Sequence, residues 1–103
     1  RMTPVLENNV KELGVDCFLM GYNGAHCVAP FSHDRKQIFH QPLPEGVVDR
    51  LIDYAIKNDH FLNVYLDGKL RGAPTDETRH YPERYSYLNQ ATYDYVGSLD
   101  SLR

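Results

Sequence analysis

Phe18-Leu19-Met20-Gly21-Tyr22-Asn23-Gly24-Ala25 is an apolar run that stops on an Asn-Gly pair. Asn and Gly tolerate positive φ, so the backbone can turn sharply there. Working back from it, Thr3 is a good N-cap and Pro4 a good first helical residue. Leu6, Val10 and Leu13 recur at helical spacing, and Gly14 supplies the stop. Val15 to Met20 predicts a strand with few polar interruptions, the pattern of a strand covered on both faces. Helix, glycine and continuous apolar strand make half of an α/β repeat.

Downstream the character changes. His26 to Ala29 predicts a short strand, Pro30 to Arg35 a loop and Lys36 to Gln41 a further strand. Pro44 opens a helix to about Asn58, with Val48, Leu51, Ile52 and Ala55 on one face and Asp53–Lys57 as an i,i+4 pair. Phe61 to Leu66 is the best strand pattern of the chain. Asp67-Gly68 is a strong hairpin signal, and Lys69 to Arg71 begins the return strand. Pro82 opens a short helix with Tyr81, Tyr85 and Leu88 on one side, and Tyr93 to Gly97 is a last strand. Residues 36–97 thus predict a β-α-β-β-α-β layer, a mainly antiparallel sheet with two helices on one face. The expected fold class is α/β. Its expected core includes Val48, Leu51, Ile52, Ala55, Leu62, Val64, Leu66 and Leu88.

Composition excludes several functions. In 103 residues, 42% are hydrophobic and 24% charged, the balance of a globular domain. The net charge of −3 is spread over interspersed acids and bases, with no basic stripe for nucleic acid. No apolar run nears the roughly 20 residues that cross a bilayer, so no membrane partner is expected. Cys17 and Cys27 are the only cysteines, expected to be reduced thiols of a cytoplasmic protein. His26, His33, His40, His60 and His80 have no metal-ligand spacing. The alternation of Tyr93 and Tyr95, and the helical spacing of Tyr81 and Tyr85, predict ordinary packing.

Arg1, the helix that follows it, the strand, Asn23-Gly24-Ala25 and the α/β unit beyond resemble the core-to-cap junction of Cof-type phosphatases. These belong to the haloacid dehalogenase (HAD) superfamily. The likeness spans essentially the whole chain, including Pro42-Leu43-Pro44-Glu45 at the entry to a cap helix. It implies that residues 1–25 are a helix-strand remnant of a Rossmann-like core and that 26–103 are the cap. It also implies a Mg²⁺-dependent phosphatase for small phosphorylated metabolites. Arg1, Asn23, Gly24, Lys69 and Arg71 become the expected substrate-binding residues.

HAD phosphoryl transfer uses an aspartate nucleophile with a second aspartate two residues on, a Thr or Ser, a Lys and acidic metal ligands. No Asp-x-Asp occurs here. No catalytic residue and no metal ligand are therefore expected within the chain, Mg²⁺ being bound by the parent enzyme. The chain is expected to be an internal segment, inactive alone, whose partners are the remaining HAD core and a small phosphorylated metabolite. Leu6, Val10, Leu13, Phe18 and Leu19 would leave an apolar face, so self-association through residues 1–22 is expected. The alternative from another class is a stand-alone ferredoxin-like regulatory module that binds a small molecule. It accounts for residues 36–97 and leaves the first helix and strand without a partner sheet.

Overall fold

Three helices and six short strands form in a computed structural model that describes residues 1–103. They divide between two compact units, Arg1–Pro42 and Leu43–Arg103.

The first unit holds α1 (Thr3–Leu13), β1 (Leu19–Gly21), β2 (His26–Val28) and β3 (Gln37–His40). Gly14 ends α1 in the left-handed region at φ 66°, as its sequence predicts. Thr3 is not the N-cap. Met2 holds that position without a side-chain cap, and Thr3 is the first helical residue. The strand also begins later than Val15, at Leu19. Sheet order is β1-β2-β3, antiparallel throughout, with Leu19 facing Val28 and Cys27 facing both Met20 and Phe39. Along β1, Leu19 and Gly21 are buried and Met20 exposed, so only one face of the strand is covered. Helix α1 packs on β1, and Met2, Val5, Leu19, Cys27, Val28 and Ala29 make the core of this unit.

Arg35 binds the unit together. Its guanidinium donates to the Cys17 carbonyl at 2.6 Å and the Ala29 carbonyl at 3.1 Å, and its Nε lies 2.8 Å from Glu7 Oε1. One cation therefore joins α1, the approach to β1 and the exit of β2. Partial burial of both partners makes this bidentate pair worth more than a solvated surface pair.

The second unit holds α2 (Val47–Lys57), β4 (Val64–Leu66), β5 (Lys69–Gly72), α3 (His80–Asn89) and β6 (Tyr93–Tyr95). β4 and β5 form the hairpin signalled by Asp67-Gly68, which turn at φ 51° and 72°. β6 then lies parallel to β5, with α3 as the crossover between them. The sheet order is β4-β5-β6. Ile52 of α2 and Leu70 of β5 are fully buried, and Ala55, Pro82, Ala91 and Leu102 are buried in the same unit. Arg103 fastens the C-terminal turn to α2, with an Asp49 carboxylate oxygen at 3.9 Å, Asp100 at 2.8 Å and a close bond to Asp53.

The α/β class and the mainly antiparallel pairing agree with the sequence. The predicted single β-α-β-β-α-β layer does not form. β3 pairs with β2 across a short loop rather than joining the later strands, because closing a short loop costs little entropy. The ferredoxin-like alternative loses its first strand with that change. By its contacts the chain divides after Pro42. The expected strand from Phe61 is short as well: β4 begins at Val64, and Phe61 turns its ring onto Gly72. A Cβ on Gly72 would stand 2.6 Å from that ring, so only glycine permits the approach. Three expected core residues are exposed: Leu51 at 43%, Leu66 at 41% and Leu88 at 58%. The buried stripe of α2 runs through Ile52 and Ala55, one residue round the helix from Leu51.

Candidate functional site

In the first unit the Asn-Gly turn is built against the start of the chain. The Tyr22 N–H donates to the Arg1 carbonyl at 2.7 Å. A Cβ at Gly21 would lie 2.9 Å from that carbonyl and 3.0 Å from Thr3 Oγ1, so glycine is what lets the two segments touch. Tyr22, Asn23 and Gly24 then follow one another at φ 52°, 55° and 94°. Gly24 and Asn23 accept this conformation readily, but a bulky Tyr with positive φ is a genuine outlier. The surroundings must hold it there.

His26 supplies much of that hold. The Thr3 hydroxyl lies 2.7 Å from its Nδ1, and Gln37 Oε1 lies 3.1 Å from its Nε2. An amide oxygen only accepts, so Nε2–H donates to Gln37, while Nδ1 and the Thr3 hydroxyl share the other bond. Tyr22 and His40 pack edge-on against the imidazole, with ring centroids at 6.0 and 5.5 Å. The ring therefore joins the first turn of α1, the strained turn and β3.

Of the five residues expected to bind substrate, Arg1, Asn23 and Gly24 thus lie together at one end of the first sheet. Lys69 and Arg71 belong to the second unit, two residues apart on β5 and so on one face of that sheet. Arg71 is half-buried, and its Nε stands 3.5 Å from the carboxylate of Asp94, its cross-strand partner. Lys69 is exposed at the hairpin.

Sequence patterning did not find Thr3, Tyr22, His26, Gln37 and His40 as a group. His26 and His40 become neighbours only through the β2–β3 register, which pairs them directly. The tyrosines also form a network rather than a simple packed face. Tyr65 and Tyr85 share a hydroxyl bond of 2.9 Å, Tyr93 stacks on Tyr95 at 5.4 Å, and the Tyr93 hydroxyl donates to Asn63 Oδ1 at 2.6 Å. Desolvation, with the neighbouring Tyr85 adding to it, pushes Tyr93 up to about 12.

No three His, Cys, Asp or Glu side chains converge on a point where a metal ion could sit. Several carboxylates already have partners: Glu7 on Arg35, Asp94 on Arg71, Asp49, Asp53 and Asp100 on Arg103, and Asp16 on Ser32. Bonds from Ser32 hold Asp16 below the usual carboxylate range. These residues do not fit a Mg²⁺ site, which takes oxygen ligands in octahedral array. No curated protein and no solved structure matches the chain. The family model for haloacid dehalogenase-like hydrolases matches residues 1–101, almost the full length. A family model that runs through α1, the Asn-Gly turn and both sheets places the chain: it belongs to the haloacid dehalogenase-like hydrolases.

Proposed function

We propose that this chain is the cap, with an adjoining piece of core, of a Cof-type, Mg²⁺-dependent cytoplasmic phosphatase that acts on small phosphorylated metabolites. Residues 1–25 are assigned to the core and 26–103 to the cap. Phosphoryl transfer, and the Mg²⁺ it uses, are assigned to the remaining core, since no Asp-x-Asp occurs in this sequence. The chain's own residues bind substrate: Arg1, Asn23 and Gly24 from the first unit, Lys69 and Arg71 from the second. A cap closing over the cleft would exclude water and supply specificity.

One observation carries this assignment. Three successive positive-φ residues, Tyr22, Asn23 and Gly24, are tied by a 2.7 Å bond to the Arg1 carbonyl. Strain of this kind persists where surrounding structure over-determines it, and it clusters at ligand-binding positions. Exposed Leu13, Phe18 and Met20 support a missing neighbour in the same unit. We assign that face to the remaining core, and to self-association when the chain is alone.

Two experiments test the assignment. The gene on either side of this segment should encode Asp-x-Asp-Gly-Thr upstream, and a Lys followed by Gly-Asp-x-x-Asn-Asp downstream. The purified chain alone should not turn over p-nitrophenyl phosphate with Mg²⁺. Turnover that co-purifies with this polypeptide and scales with its amount would overturn the division of labour.

A further inference from the structure

A cleft of about 450 Å³ opens in the second unit, lined by Asp59, His60, Phe61, Leu62, Asn63 and Tyr81. That size lies within the roughly 300–1,000 Å³ of small-molecule sites. We propose that it binds an amino-substituted nitrogen heterocycle, the ring type of an aminopurine or aminopyrimidine.

The chemistry of the lining selects that class. Phe61 and Tyr81 contribute aromatic surface, and each has a close neighbour. Phe61 lies on Gly72, where a Cβ would meet its ring at 2.6 Å, and 6.1 Å from Tyr93. The Tyr81 ring lies tilted against His80, with centroids 4.0 Å and planes 39° apart. Aromatic rings offer a flat ligand a stacking surface. Polar groups line the cleft as well. Asn63 Oδ1 is engaged by the Tyr93 hydroxyl at 2.6 Å, which leaves its Nδ2–H₂ as donor to a ring nitrogen. Asp59 brings an acceptor carboxylate, suited to an exocyclic amine, and His60 adds an imidazole held against Tyr54 at 5.7 Å.

The cleft has no Lys or Arg in its lining. A phosphate would meet the Asp59 carboxylate with no opposing cation and is disfavoured. A sugar could lie on one aromatic face but would leave the second ring unused. The inference concerns binding by this unit alone and does not depend on the phosphatase assignment.

Adenosine is the test probe, with glucose and inorganic phosphate as the competing chemistries, added to the intact chain. Saturation-transfer NMR and calorimetric titration read the binding. Tyr81 is 56% exposed, so Tyr81→Ala should keep the fold, checked by circular dichroism. Asp59→Asn is the second variant, because Asp59 sits at φ 52° and Asn accepts that region. The expected result is saturable adenosine binding, weakened about tenfold by Tyr81→Ala through lost stacking. Asp59→Asn should also weaken it, and neither glucose nor phosphate should compete. Absence of saturable adenosine binding would overturn the proposal. So would binding unchanged in both variants, or displacement by glucose or phosphate.

Discussion

At the scale of single residues, the decisive device is a close approach rather than a charge. Gly21 lies against the Arg1 carbonyl and the Thr3 hydroxyl, and that contact seats the Tyr22-Asn23-Gly24 turn. Gly21→Ala should therefore cost about 1–3 kcal/mol, the usual cost of overpacking a tight site. It should also shift the amide resonances of Tyr22 to Ala25. Spectra that move only at residue 21 would show that the approach is not structural. The second residue-scale device is Tyr93. Its hydroxyl is raised from 10.0 to about 12 by desolvation first and by Tyr85 second. Below pH 10 the group is protonated in folded and unfolded chains alike, and its contribution is fully present. Between pH 10 and about 12 the unfolded chain loses the proton first, so stability falls as pH rises. Denaturation midpoints of the wild type and Tyr93→Phe, compared across that window, should converge as pH increases. A constant difference would mean that Tyr93 titrates alike in both states.

At the scale of elements, α2 shows how a one-residue rotation changes what a helix buries. The apolar residues Val48, Leu51, Ile52 and Ala55 all fit a helical face, yet Ile52 and Ala55 are buried while Leu51 is 43% exposed. Ile52→Ala should cost about 2–5 kcal/mol, a core truncation that leaves a cavity. Leu51→Ala should cost no more than about 1 kcal/mol, since it removes surface that water already reaches in part. Equilibrium denaturation of the two variants checks the order, and a reversed order would put the helix face wrong. α2 existed in the sequence as a clear periodic segment. Which of its apolar residues face inward depends on how the helix meets the sheet, and that was not legible. The same holds for β4, where the aromatic Phe61 satisfies strand propensity but packs on Gly72 outside the ladder.

For the molecule as a whole, the contacts divide the chain after Pro42. A cut at 25/26 would sever the β1–β2 ladder, with its pairs Leu19–Val28, Met20–Cys27 and Gly21–His26. A cut at 42/43 severs no strand pairing. Residues 43–103 expressed alone should thus give dispersed amide spectra and a cooperative thermal transition. Residues 26–103 should show β2 and β3 unprotected in hydrogen exchange, with more association. Equal protection in the two pieces would mean that the first sheet does not need α1 and β1.

The sequence by itself determined the class of structure, the α1 stop at Gly14, the Asp67-Gly68 hairpin and the sharp turn at Asn23-Gly24. These are local matters of backbone freedom and hydrophobic period, read within a few residues. It also carried the resemblance that the family match bears out at the level of haloacid dehalogenase-like hydrolases. The tertiary structure alone decided that β3 joins β2, that His26 stands between Thr3 and Gln37, and that Arg35 gathers Glu7, Cys17 and Ala29. Each joins residues separated along the chain whose types are unremarkable taken singly. Strand register and the entropy of loop closure select such partners, and neither quantity is written at any one position.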